Sequence, residues 1–412
     1  MSASETLRHD LPQGVAEGRY DPRFAPVVEA FLENFARQDE VGASVCLVHE
    51  GRTVLDLWGG IADKATGRPW ERDTVSIVFS CTKGATALCA HILSSRGQLD
   101  LEAPVAELWP EFAGNGKEQA TTRMMLDHSV GVPALRDPVK ADCMTDWAYM
   151  TERLAAEAPF WEPGIRNGYH ALTFGFTVGE MIRRASGKSV GSFFQEAVAG
   201  PLGLDFWIGL PEAIEPRVAP IIRRLEVPKE PTPFFIAMMN DANSIPNRFV
   251  FNSGNWSTIG MNSRAGRAAE VPAANGITNA RGLAGMYAPL ATGGGSLVDA
   301  VTLSRMEEVA MATHFDATLM QPTRFALGFM KSMDNRRRRP GGDSAILGRR
   351  AYGHVGAGGS IGFADPDCGL GFGYSMNRLG QGLLLNERGQ ALVDAAYRCL
   401  GYRSNESGVW LR

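Results

Sequence analysis

The sequence predicts an α/β (α+β) protein in which an antiparallel sheet, flanked by helices, closes around an inserted helical region. Three observations carry this prediction. Strand patterns lie near both ends and are joined by tight turns, which suits antiparallel pairing because parallel strands need long crossovers. Apolar stripes at helical spacing flank those strands. Between about 101 and 289 the pattern is mostly helical and is broken by Pro and Gly.

Over residues 24 to 37, Phe24, Val27, Val28, Phe31, Leu32 and Phe35 fall on one helical face. The stretch "GASVCLVHEGRTVLDLWGG" reads as two strands folded about Glu50-Gly51, so the chain is expected to begin with a helix and a hairpin. From Ser80 to Arg96 the pattern is helical and apolar on most sides (Ala85, Leu88, Cys89, Ile92, Leu93), which marks an interior helix, with Gly97 as its stop. Residues 230 to 280 are rich in Pro, Asn and aromatics and show no sustained period, as expected of irregular loops capping a pocket. Strand patterns return at 350 to 377 with a turn at Asp365-Pro366-Asp367, and 383 to 399 reads as a last helix. One domain is expected over 24–400, with its α/β part from about 24–100 and 290–412 and its helical part from about 101–289.

The 412 residues are 44% apolar and 21% charged, a composition that excludes disorder. With 41 basic against 45 acidic side chains there is no general basic field, so nucleic acid is not an expected partner. The first twenty residues hold no apolar core of a signal peptide, and no run approaches the roughly 20 apolar residues that span a bilayer. A cytoplasmic protein acting on a small molecule, without membrane, is expected. The six cysteines are scattered without C-x-x-C or Cys/His clustering, which argues for reduced thiols and against a zinc site. The run Arg336 to Arg339, followed by Pro340-Gly341-Gly342, reads as a solvated loop.

The chemistry starts at "VFSCTKGATALCAH", where Ser80 precedes Lys83 by three positions on a helix that is otherwise buried. A serine hydroxyl is a poor nucleophile until a base takes its proton, and a lysine is such a base only when neutral. Burial favours the neutral amine, and residues three apart share a helix face. The alternative is a helix-capping Ser80 with Lys83 stretching to the surface. Tyr169, in "WEPGIRNGYHALTFG", offers a second base, because a phenol can relay a proton shared with a lysine. In "GHVGAGGS", residues 353 to 360, the glycines allow a strand edge to approach another backbone, as a site for an oxyanion requires. Ser360 sits in a G-x-S-x-G pattern, but the residues after it continue as a strand instead of turning into a helix, and the last histidine, His354, precedes it. Both features argue against Ser360 as the nucleophile.

Taken together, "FSCTKG", "PGIRNGYHALTFG" and "GHVGAGGSIGFADP" resemble the serine β-lactamase-like superfamily of penicillin-recognising enzymes, and within it the family VIII carboxylesterases. "MMLDHSVGVPAL", "PLGLDFWIGLP" and "NGITNARGLAGMY" extend the resemblance over roughly residues 24 to 400. It implies a serine β-lactamase/transpeptidase-like fold with Ser80 as the acylated nucleophile, Lys83 as its base and Tyr169 as proton shuttle. The backbone N–H groups of Ser80 and Ala357 are implied as the oxyanion hole. Two departures stand out: Tyr169-His170-Ala171 replaces Tyr-x-Asn, and His354 stands where lactamases carry the lysine of Lys-Thr-Gly. Both weaken recognition of a β-lactam and favour an uncharged ester.

The expected protein is therefore a serine carboxylesterase for small, short-chain esters, needing no metal or cofactor. His354, Gly356 and His170 are placed in the substrate lining, with an apolar acyl pocket drawn from Phe234, Phe235, Met238, Met239 and Trp256. The rivals are a β-lactamase or D-Ala-D-Ala peptidase, an amide hydrolase, an acyltransferase, and a silent binding protein on the same fold.

Overall fold

The computed structural model describes residues 4–223, 230–256, 260–337 and 343–412. Two strands, β1 (Glu5–Asp10) and β2 (Val15–Tyr20), precede the first helix, α1 (Ala25–Arg37). Sequence reading missed this hairpin because β1 is polar and largely exposed, with no apolar alternation to mark it. The expected hairpin follows as β3 (Gly42–His49) and β4 (Arg52–Asp63), joined by Glu50 and Gly51. Both turn residues have positive φ, the two-residue geometry whose twist matches the flanking strands.

The buried helix α2 (Cys81–Ser95) comes next, and α3 (Thr173–Ser186) packs against it. In place of irregular loops, the segment after 230 forms two short helices, α4 (Pro233–Asn240) and α5 (Ile245–Phe251), each capped by a hydroxyl, from Thr232 and Ser244. A buried helix, α6 (Ala280–Ala291), then leads to β5 (Tyr352–Val355), β6 (Ile361–Asp365), β7 (Leu370–Met376) and the last helix, α7 (Glu387–Cys399). The last helix starts at the Asn386 cap and not at 383, because Leu385 is drawn into a bridge with Ser344.

The main sheet runs β1-β2-β4-β3-β7-β6-β5, with every neighbouring pair antiparallel. The two ends of the chain therefore meet in mid-sheet, where Val45 of β3 pairs with Tyr374 of β7. Strand alternation sorts its two faces. Leu370, Phe372 and Tyr374 join Phe31 of α1 and Leu392 of α7 in one core, while Gly371 and Gly373 face α6. A side chain at Gly371 would strike Ala284 and Ala288, and one at Gly373 would strike the Ala280 carbonyl. The alanines four apart on α6 thus seat that helix directly on the sheet. Among the described residues, no helix is long and apolar enough to cross a membrane.

Candidate active site

Ser80 sits at the head of α2, where a short strand, Ser76–Ile77, turns into the helix. Phe79 makes the turn with a left-handed φ of 46°, a conformation that costs a non-glycine residue on the order of 1 kcal/mol. The Ser80 hydroxyl makes no cap hydrogen bond to the helix it begins. It is half-buried, and Lys83 Nζ lies 3.3 Å from its Oγ.

Lys83 has no exposed surface. Its other partners are the carbonyls of Ala171 at 2.7 Å and Ala273 at 3.0 Å, which accept from Nζ. Burial drives the amine well below the ordinary lysine range. Two N–H bonds to carbonyls use both hydrogens of a neutral amine and leave its lone pair for Ser80 Oγ. The first turn of α2 is further tied down by Thr82, which accepts from the Gly276 N–H at 2.8 Å.

Tyr169 lies beside Lys83, with Nζ 4.7 Å from its ring centroid. Its hydroxyl is buried and makes no hydrogen bond of good geometry among the described residues. Burial pushes the phenol pKa up, and the nearby Ser80 hydroxyl pulls it back. Tyr169, far from Ser80 and Lys83 in the chain, is therefore brought together with both.

Gly356 and Ala357 begin the turn after β5. The Gly356 N–H donates to the Ser360 carbonyl at 2.7 Å, and a side chain at Gly356 would overlap Val78 O and Ser360 Oγ. Ser360 itself is fully buried and donates to Val78 O at 3.1 Å. The turn is thus docked on the residues just before Ser80, and no hydrogen bond of good geometry occupies the Ser80 or Ala357 amide among the described residues.

His354 is buried beside Tyr169, their rings 6.1 Å apart. Its Nδ1 bonds the Val355 carbonyl at 2.7 Å, and Nε2 has no partner among the described residues. Burial and the neighbouring Lys83 push its pKa down to about 3, so the ring is neutral near pH 7. His170 differs: Nδ1 donates to Gly168 O at 2.7 Å and Nε2 accepts from the Val132 N–H at 3.0 Å. With both nitrogens spent on backbone and no exposed surface, His170 braces the Tyr169 loop and has no ring nitrogen left for a ligand.

The two aromatic candidates go to different places. Phe234 lines a cleft of about 1150 Å³ together with Leu319, Met320, Leu379 and Leu385. Trp256 is buried in the core cluster that also holds α2, and it does not line that cleft. Arg336 and Arg337 bond Asp334 and the carbonyls of Asn405 and Glu406 at the surface. Arg338, Arg339 and Pro340-Gly341-Gly342, read above as a loop, lie outside the described residues.

The model of the Beta-lactamase family matches residues 24–396. The chain belongs to this family. Esterase/beta-lactamase LipL of Mycobacterium tuberculosis is 37% identical over 390 residues, covering 92% of this chain and 87% of that protein. The crystal structure of a family VIII carboxylesterase is 38% identical and superposes with a TM-score of 0.79, covering 93% of this chain and 99% of the other. A penicillin-binding protein homologue from Caulobacter crescentus is 34% identical, with a TM-score of 0.81 and coverage of 92% and 98%.

Within this member of the Beta-lactamase family, sequence reading passed over two residues that touch the Tyr169 segment. Asp316 accepts from the Tyr169 N–H, and His128 packs its ring 4.8 Å from that of Tyr169. Neither has a sequence signal of its own: Asp316 is an acidic residue in a loop, and His128 is a polar residue just after a short helical turn.

Proposed function

We propose that this chain is a serine carboxylesterase that cleaves small, uncharged, short-chain esters through an acyl-enzyme on Ser80. The observation that carries the reading is the wholly buried Lys83, whose partners are two neutral carbonyls and the Ser80 hydroxyl. Among the described residues no carboxylate pairs with Nζ, so the amine is available as a base.

In the proposed reaction, Lys83 Nζ takes the Ser80 proton as Oγ bonds to the ester carbonyl carbon. The Ser80 and Ala357 N–H groups hold the resulting oxyanion. Collapse breaks the bond to the alcohol oxygen, which takes its proton from Tyr169, and Lys83 returns a proton to the phenol. Water then attacks the acyl carbon, giving a proton to the same pair; collapse breaks the carbon–Oγ bond, and the pair returns that proton to Ser80 Oγ as the acid leaves. The two expected parts of the domain meet in this scheme, Ser80, Lys83 and Ala357 coming from one and Tyr169 from the other.

The neutral His354 supports an uncharged substrate, since it provides no positive charge for a carboxylate. The esterase name of LipL and the carboxylesterase structure support the same reaction class. The name "Esterase/beta-lactamase" also favours one second reading, β-lactam hydrolysis by the same residues. Steady-state rates on a short-chain p-nitrophenyl ester and a chromogenic cephalosporin separate the two. The proposal expects ester turnover that Ser80→Ala abolishes, with little cephalosporin turnover; strong cephalosporin turnover favours the second reading, and silence on both overturns the esterase.

A further inference from the structure

Among the described residues the Tyr169 hydroxyl makes no hydrogen bond of good geometry, so the firm hold on this residue is through its backbone. Three successive residues are each gripped by a side chain from a distant part of the chain. The Tyr169 N–H donates to both Asp316 oxygens, at 2.9 and 3.1 Å. The His170 N–H donates to His128 Nδ1 at 3.1 Å, and the Ala171 carbonyl accepts from Lys83.

Asp316 and His128 are both costly residues to place where they stand. Asp316 is fully buried, and among the described residues no cation pairs with it. Its remaining donors are the N–H groups of Thr318 at 2.9 Å and Leu319 at 2.8 Å and the Thr323 hydroxyl at 3.2 Å. His128 is buried with a left-handed φ of 68°, its ring packed against those of Tyr169 at 4.8 Å and Phe325 at 4.7 Å. A buried carboxylate without a cation and a strained non-glycine residue are both costly, and they take the N–H groups of two successive peptides, Tyr169 and His170.

We infer that Asp316 and His128 are positioning residues that clamp the Tyr169-His170 backbone and thereby set where the Tyr169 phenol stands relative to Ser80 and Lys83. The inference rests on the proton-transfer role proposed for Tyr169. Beyond its backbone a tyrosine ring is placed by two torsions, so fixing the peptide fixes the phenol. A displacement of about 1 Å costs a proton-transfer group on the order of 10²-fold.

The leaving group supplies a readout that a merely structural role would not move. An alkoxide needs a proton as it departs, whereas p-nitrophenolate leaves as the anion. Asp316→Asn keeps the side-chain shape but turns an amide N–H₂ towards N–H donors. It is expected to lower kcat/KM on an ethyl ester by about 10²-fold and on the p-nitrophenyl ester by less than about 10-fold. In the Tyr169→Phe background the same substitution is expected to cost under about 3-fold on the ethyl ester, because the group it positions is gone. Thr323→Val removes one donor to Asp316 and is expected to follow the same pattern at smaller size; it decides the matter if Asp316→Asn does not fold. Equal losses on the two esters, or an undiminished loss in the Tyr169→Phe background, would overturn the inference. A Tyr169→Phe enzyme at the wild-type rate on the ethyl ester would instead overturn the role of Tyr169 itself.

Discussion

Gly356 lies so close to the carbonyl oxygen of Val78 that no side chain fits between them. That contact joins the turn after β5 to the segment that ends in Ser80, and it sets the proposed Ala357 donor beside the proposed nucleophile. A methyl group at Gly356 would have to push the two apart. Gly356→Ala is expected to lower kcat for ester hydrolysis by about 10²-fold, the usual cost of losing one oxyanion donor, in a folded protein. Wild-type kcat in this variant would show that the docking of the turn does not matter to turnover.

The pH dependence follows from the depressed Lys83 pKa. The base must be neutral, so kcat/KM is expected to rise with pH through the Lys83 ionisation and to fall as pH drops below it. His354 and His170, each pushed down to about 3, stay neutral over the range of about pH 5 to 8 and leave that limb alone. His354→Asn should therefore keep its position in a pH–rate profile; loss of the limb would reassign it to His354.

Stability carries the same signature. In the unfolded chain Lys83 holds its proton up to about 10.5, while in the fold it releases it much earlier. The unfolded state thus binds more protons between those values, and stability rises with pH across that window. Denaturant titrations should show wild type gaining on Lys83→Met as pH rises towards 10.5. A constant difference would mean that Lys83 is charged in the fold.

Ser360 matches a nucleophile pattern but is buried with its hydroxyl on Val78 O. Ser360→Ala is expected to cost about 1 kcal/mol of stability in a urea titration, the scale of one buried hydrogen bond, and to change turnover by no more than a few-fold. Abolished turnover in a stable, folded variant would contradict this.

What was legible in the sequence had a period or a composition to carry it. The α1 stripe, the Glu50-Gly51 hairpin, the apolar surround of Lys83 and the glycines of β5 to β7 all impose local patterns that fold as read. The β1–β2 hairpin was not legible because its outer strand buries no face. Nor were α4 and α5, where Pro at the first turn and hydroxyl caps start helices too short to show a period. At the site, Ser80, Lys83 and Tyr169 were nameable because their motifs, together and in order, resemble those of the serine β-lactamase-like superfamily; Ser-x-x-Lys alone is a weak signal. Asp316 was not, because its partner, the Tyr169 N–H, lies 147 positions away and every residue but proline has one. The role of His170 escaped for a similar reason, its nitrogens being claimed by the backbone of Gly168 and Val132.

The central claim is that Ser80 is the residue acylated. Peptide mass mapping after brief reaction with an alkyl fluorophosphonate, run beside Ser80→Ala, tests it most directly. The account predicts one adduct, on the peptide carrying Ser80, and none in the variant. An adduct on Ser360 in both proteins, with ester turnover surviving Ser80→Ala, would contradict it.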